Sequence, residues 1–387
     1  MAYQLASTTW DNEEIEAAIE VIKSKNTTMG VHVKEFESEF AKEFGSKFAV
    51  MSNSGSSANL LAIAAMVESG MFESKDRTVV VPAVSWSTTY FPFHQYGFKL
   101  RFVDVDLKTL NYDLEHLERV IREEKIDAIC AVNLLGNPND FSSLKRIAGS
   151  IPIFEDNCES MGAKFEGKQA GTHGVLGSFS TFFSHHMCTM EGGVTVTDDE
   201  RLYQFMLSIR AHGWTRNLSD QNLVSGLKSQ NKFEESFKFV VPGYNLRPLE
   251  IEAAIGKIQL RKISEFILER RKNSEIFKKK IVEKYGNRVI FQEEIGESSW
   301  FGFSMIFENA DLRKRSITEF ESAKIDCRPI VAGNFCRQPV IEKMDCKFDK
   351  LINANIVHER GLFVGNHHFD LEHEIHQLDI SLEKVMS

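Results

Sequence analysis

From about residue 46 to residue 200, short apolar runs alternate with helix-like stretches. "KFAVMSNSGSS" reads as a strand, a Gly/Ser turn and the start of a helix that "ANLLAIAAMVESG" continues. "RTVVVPAVSW", "KLRFVDVD", "DAICAVNLLGN", "IPIFEDNCES" and "GSFSTFF" are further strand candidates, with "HLERVIREEK" and "SLKRIAGS" as helices between them. Strands alternating with helices predict a mostly parallel sheet with helices on both faces. In such sheets ligands bind beyond the carboxyl ends of the strands. The polar residues that follow each apolar run are therefore the candidates for chemistry.

The texture changes after about residue 250. "EIEAAIGKIQLRKISEFILERRKNSEIFKKKIVEKYG" predicts one or two long charged amphipathic helices, "FGFSMIFE" a strand and "SITEFESAKIDC" another helix. The expected division is a large α/β domain over residues 1–250 and a smaller α+β domain over 251–387. The run Lys278-Lys279-Lys280 reads as a solvated helix face, with phosphate binding as the alternative.

Composition narrows the class. The 387 residues are 42% hydrophobic and 26% charged, an ordinary globular balance with room for two domains. A formal net charge of −9 argues against nucleic acid as the main partner, since phosphate contacts demand a basic face. No apolar run reaches membrane-spanning length, and the opening "MAYQLASTTWDNEE" has no signal-peptide pattern. Six cysteines form no CxxC or CxC pair, so neither a metal site nor an iron–sulfur cluster is expected. Scattered thiols predict a cytoplasmic protein.

Taken in order, the strand ends carry one weak signal each. "SNSGSSANLL" puts Ser54, Gly55, Ser56 and Ser57 at a helix start, where N–H groups and hydroxyls form a phosphate cup or merely a Ser-rich cap. Trp86, just past a strand, is core or a flat lid on a planar ring. Glu155 and Asp156 end "IPIFED", with Glu159 close behind; such a carboxylate caps a helix or pairs with a protonated pyridine nitrogen, keeping the ring an electron sink. "GSFSTFFSHH" supplies Ser180 and, five residues on, His185. Neighbours on an extended chain point to opposite faces, so only one of His185 and His186 is expected in a site. "VPGYNLRPLE" adds Asn245 and Arg247 beside a turn, which turn chemistry and a surface ion pair would also explain.

The order of these signals, from phosphate cup to Glu-Gly-Gly and Gly-Tyr-Asn-x-Arg, resembles the DegT/DnrJ/EryC1/StrS sugar aminotransferases, pyridoxal phosphate enzymes of the aspartate-aminotransferase fold (fold type I). The resemblance spans nearly the whole chain. It implies Gly55, Ser56 and Ser180 on the cofactor phosphate, Trp86 on the ring, and Asp156 at the pyridine nitrogen with Glu159 beside it. It places Asn245 at the neighbouring subunit's cofactor, making a homodimer with composite sites. His212, Arg247 and Arg328 are implied substrate contacts.

One position departs from the family. Six residues before the Glu of Glu-Gly-Gly, where family members carry the lysine that bonds covalently to the cofactor, this chain has His185, and residues 183–188 contain no lysine. Together with "NLLGNP", "EDNCESMGA", "RAHGWTRNL", "ESFKFVVPGYN" and "GESSWFGFS", this resembles a branch that deoxygenates sugars instead of aminating them. The branch implies pyridoxal phosphate held without a covalent bond and converted to pyridoxamine phosphate by L-glutamate. His185 would serve as acid and base in loss of the C3 hydroxyl from GDP-4-keto-6-deoxy-D-mannose, with ammonia released; an ordinary imidazole pKa near 6.5 suits both duties. The product would feed colitose and O-antigen synthesis. Two other readings stay open: an aminotransferase whose lysine comes from elsewhere, and an inactive binding subunit, against which the joint presence of Trp86, Asp156, Ser180 and Asn245 counts. Iron–sulfur 3-dehydrases also carry histidine here, but Cys327, Cys336 and Cys346 lack their spacing, so no reductase partner is expected.

Overall fold

The computed structural model describes residues 2–387. Its centre is an eight-stranded sheet in the order Phe48–Ser52, Gly193–Thr197, Leu176–Ser180, Ile153–Asp156, Ala128–Val132, Arg77–Pro82, Phe98–Val103, Cys346–Phe348. All its neighbours pair in parallel except those of Gly193–Thr197, which runs against both flanking strands. Every residue of Ala128–Val132 is buried, as expected where helices cover both faces.

Caps decide where the covering helices begin. Ser54, Asp113, Asp140 and Asp199 each accept a backbone N–H of the first turn, starting the helices Gly55–Glu68, Leu114–Glu123, Phe141–Ala148 and Glu200–Ile209. Leu117, Phe141 and Leu144 fill one face of the sheet, while Leu61, Ala65, Phe93 and Phe98 pack the other. Phe179 lies between Phe40 and Phe44, with ring centroids 5.3 and 5.1 Å away. It thereby anchors the strand that ends in Ser180. Truncating it to Ala would cost about 3–5 kcal/mol and loosen that strand end.

The predicted long helix is Glu250–Phe277, continued by a π-helical turn over Lys278–Val282. Beyond it, four antiparallel strands form a second sheet in the order Val289–Phe291, Gly302–Phe307, Gly361–Gly365, Cys327–Arg328. Helices Ala310–Ser322 and Glu372–Met386 share its core, which includes Phe303, Met305, Phe320 and Leu378. Two short pieces cross between the parts. Cys346–Phe348 joins the edge of the large sheet beside Leu100–Phe102, and Tyr3 bridges Ile325 in the smaller part. The lysine run is a charged surface: Lys278 pairs with Glu275 and Glu294, and Lys280 with Glu372. No described helix is long and apolar enough to cross a membrane.

Candidate active site

The carboxyl ends of the central strands open into a cavity of about 330 Å³. Gly55, Ser56, Trp86, Asp156, Glu159, Ser180, His185 and Arg328 all line it. His212, Asn245 and Arg247 do not.

One end is built by the start of the Gly55–Glu68 helix against Ser180. The Ser54 hydroxyl caps the N–H of Ser57 at 3.1 Å, which leaves the earliest turn and the Ser56 hydroxyl at the cavity wall. Gly55 is required by proximity: a Cβ there would sit 2.5 Å from the Ser180 Cβ. The second glycine of Glu-Gly-Gly has a similar cause, since a Cβ on Gly193 would overlap the Ser54 carbonyl and lie 2.8 Å from the Gly55 nitrogen. Helix N-terminus and hairpin return thus meet backbone to backbone, aiming peptide N–H dipoles at an anion-sized space.

The base of the cavity is a closed hydrogen-bond network. Asp156 is buried; its Oδ2 accepts from Asn59 Nδ2 at 2.9 Å and Thr89 Oγ1 at 2.7 Å, and its Oδ1 accepts from the Cys158 N–H at 3.1 Å. Ser178 donates to Asn59 in turn. Glu155, one residue earlier, is turned away and accepts from the N–H groups of Gly171 and Gly174; burial raises its pKa to about 6. Only the second acid of the strand end therefore serves the cavity. Glu159 lines it too, accepting from the Leu135 N–H at 3.1 Å, and burial pushes its pKa to about 7. Trp86, the residue just before the Ser87–Gln95 helix, is 58% exposed, so it is no core residue but a free aromatic face at the cavity.

His185 sits in a loop that Thr181 closes on itself, donating its N–H to Gly192 and accepting from the Thr189 N–H, each at 2.9 Å. Met187 and Cys188 are buried and pin the loop from below. The two histidines part as expected, but through a bend and not an extended strand: the His185 N–H closes a turn onto the Phe182 carbonyl at 2.9 Å. His185 is half-buried and lines the cavity; His186 is buried, with Nε2 3.2 Å from the Ser299 carbonyl. Phe301 packs on both, with centroids 5.3 and 5.7 Å away. The ordinary imidazole pKa expected for His185 is not what its surroundings produce: burial first, then the Arg270 charge, push it down to about 4. The ring still opens to the cavity. At neutral pH His185 is an uncharged base.

Sequence reasoning missed Asn59, Thr89, Phe301 and Arg270. Asn59 and Thr89 are ordinary helix residues in the chain, and only the fold turns them toward Asp156. Phe301 comes from "GESSWFGFS", whose turn is tied to "NLLGNP": Phe301 donates its N–H to the Leu135 carbonyl and Ser299 to that of Gly136. Leu135 and Trp300 both adopt left-handed backbone, at φ 52° and 48°, a strain of about 1–3 kcal/mol each that such a junction sustains. His212, Asn245 and Arg247 lie together elsewhere on the chain. The His212 N–H donates to the Tyr244 carbonyl, Ala211 bridges Asn245, and Arg247 Nε donates to Asn245 Oδ1 at 2.9 Å. Asn245 is exposed, and so is Phe239, which bridges Trp214 beside His212.

The lining fits a phosphorylated pyridine: an N–H and hydroxyl cup for an anion, a free indole face, and a carboxylate held by three donors. No lysine lines the cavity among the described residues. A family model described as the DegT/DnrJ/EryC1/StrS aminotransferase family matches residues 8–376. The GDP-4-keto-6-deoxy-D-mannose 3-dehydratase of Yersinia pseudotuberculosis is 52% identical, with 99% of this chain and 98% of that protein covered. An E. coli GDP-4-keto-6-deoxy-D-mannose-3-dehydratase with bound hydrated PLP superposes with a TM-score of 0.94 at 51% identity, over 99% of this chain and all of that one. A GDP-4-keto-6-deoxymannose-3-dehydratase holding a trapped PLP–glutamate geminal diamine also gives 0.94 and 51%, covering 98% and 100%.

Proposed function

The chain belongs to the DegT/DnrJ/EryC1/StrS aminotransferase family, with its fold type I architecture, and we propose that it removes the C3 hydroxyl of GDP-4-keto-6-deoxy-D-mannose. The cofactor is pyridoxal phosphate, used in its pyridoxamine form; L-glutamate is the amino donor, and ammonia is released. The observation that carries this reading is a family cofactor cavity with an imidazole at the lysine's place and no lysine in its lining. Amination would need such a lysine.

Gly55, Ser56 and Ser180 would hold the phosphate, Trp86 would cover the ring, and Asp156 would face its nitrogen with Glu159 beside it. When bound, the cofactor supplies an amino group that condenses with a ketone and a conjugated ring that delocalises the electrons of a broken C–H bond. His185 takes the proton at C4′ and returns it to the C3 hydroxyl oxygen as that oxygen leaves. An uncharged imidazole is the form that can begin this exchange.

Arg328, at the cavity wall, is the substrate contact of this reading. Asn245, His212 and Arg247 would serve the cavity of a second copy, in a homodimer with composite sites. The exposed Phe239, which bridges Trp214 beside His212, supports a partner on that face. A boundary near residue 250 and a cytoplasmic location complete the proposal. Incubating the protein with the GDP-4-keto sugar, glutamate and pyridoxal phosphate should give deoxygenated sugar and equimolar ammonia. Aminated sugar without ammonia would overturn it.

A further inference from the structure

Arg270 lies on the long helix Glu250–Phe277 and is 4% exposed. A guanidinium withdrawn from water ordinarily sits against a carboxylate, because its lost hydration costs several kcal/mol. No carboxylate among the described residues pairs with it; the adjacent Arg271 takes Glu297 instead. Arg270 Nη1 donates to the carbonyls of Asn366 at 2.6 Å and Phe301 at 3.2 Å, while Nε has no partner in the protein. Asn366 returns the contact, its amide donating to the carbonyls of Arg270 and Trp300. The cation is thus fixed by main chain, and Phe301, which it holds, carries the ring packed on His185.

The surroundings of His185 define what that charge does. Phe182 and Phe301 pack on its ring, His186 adjoins it, and Asp156, Glu159, Glu191 and Arg328 line the same cavity. Asp156 is already engaged by three donors, and Glu159 is raised to about 7 by burial. Neither offers His185 a dedicated counter-ion. The Nδ1 atoms of His185, His186 and His368 all lack partners in the protein.

We propose that Arg270 is a positioning residue for His185: an unpaired buried cation that sets the Phe301 wall against the imidazole and keeps the imidazole uncharged until it takes the C4′ proton. The same field makes the imidazolium a stronger acid, so the proton is passed on readily to the leaving C3 oxygen. The inference rests on His185 being the acid–base residue.

The test compares Arg270→Met and Arg270→Lys holoenzymes with the parent. One readout is the pH dependence of His185 carbethoxylation by diethyl pyrocarbonate, followed by peptide mass mapping. The other is kcat and KM for deoxygenation. Arg270→Met should raise the His185 midpoint by about one pH unit and lower kcat about tenfold, with KM within about twofold. Arg270→Lys, which keeps the charge and loses the fork, should leave the midpoint in place and lower kcat. An unmoved midpoint in folded Arg270→Met, or equal midpoint shifts in both variants, overturns the proposal. Should the methionine variant fail to fold, the lysine variant decides: parent midpoint with reduced kcat supports it, parent kcat overturns it. The midpoint is read without turnover. A parent that never deoxygenates the sugar therefore defeats the assigned reaction, whereas an unmoved midpoint in active enzyme defeats only the role of Arg270.

Discussion

At the base of the cavity Asp156 accepts from Asn59, Thr89 and the Cys158 N–H, so both its oxygens are held by donors. Across from it, His185 and His186 each have a ring nitrogen without a partner, and Arg270 has a guanidinium N–H without one. Buried polar groups are normally satisfied, and each exception costs about 1–3 kcal/mol. The first wall is built to hold one charge still. In the proposed chemistry, the second keeps capacity free for a proton that arrives and leaves. Holding and reacting call for opposite treatment of hydrogen bonds, and the fold separates them: Asp156 on the large sheet, the His185 loop backed by Phe301 from the smaller part.

If that division is right, damage to the holding wall should spread to both halves of the reaction. Asp156→Asn should lower deoxygenation and glutamate-dependent conversion of the cofactor together, by about 10²–10³-fold each. Steady-state and single-turnover rates check this; a loss confined to one half would break the contrast. Removing a support instead of the charge is milder. Asn59→Ala leaves Asp156 Oδ2 with Thr89 alone and Ser178 with only its longer bond to the Glu155 carbonyl, so stability should fall by about 1–3 kcal/mol and cofactor affinity about tenfold, read by thermal unfolding and spectroscopic titration. Trp86 is exposed and contributes a face only, so Trp86→Leu should raise the cofactor Kd about fivefold, roughly a kcal/mol of stacking, with kcat little changed.

The reacting wall makes the smallest prediction, a persistence of activity. Burial and Arg270 lower the His185 pKa from the usual 6.5 to about 4. The base is then uncharged above about 4 and is lost as pH falls through that value. At pH 6.5 the rate should be undiminished, where an ordinary histidine would already be half protonated, a difference of about twofold. The sign for stability follows. Between pH 6.5 and 4 the unfolded chain binds the proton that the folded chain refuses, so folding weakens as pH falls through that window. A kcat/KM profile with its acid limb at 6.5 would show that the wall does not act on the imidazole.

Much of this was legible in the chain. The alternation of strands and helices placed Ser54–Ser57, Trp86, Asp156 and Ser180 at strand ends, because period and turn residues are local properties. The expected separation of His185 from His186 is found, but a bend after the strand produces it, not strand alternation. What stayed hidden depends on contacts across long sequence distance. The turning away of Glu155 depends on Gly171 and Gly174, and the support of Asp156 on Asn59, 97 positions earlier. Arg270 looks like any cation in a charged helix until packing strips it of water. Cys346–Phe348 has no strong strand pattern and gains its place from the edge of the large sheet. The lowered pKa of His185 had no local signal at all.

The most direct measurement is deoxygenation by His185→Gln with its cofactor bound. Glutamine has similar reach and can hydrogen-bond, but it carries no proton between C4′ and the C3 oxygen. Cofactor affinity should stay within about twofold of the parent, since no covalent bond through residue 185 holds it, while release of deoxygenated sugar and ammonia should fall about 10³-fold or more. Deoxygenation at the parent's rate would contradict His185 as the acid–base residue, and with it the reason this chain carries histidine where its family carries lysine.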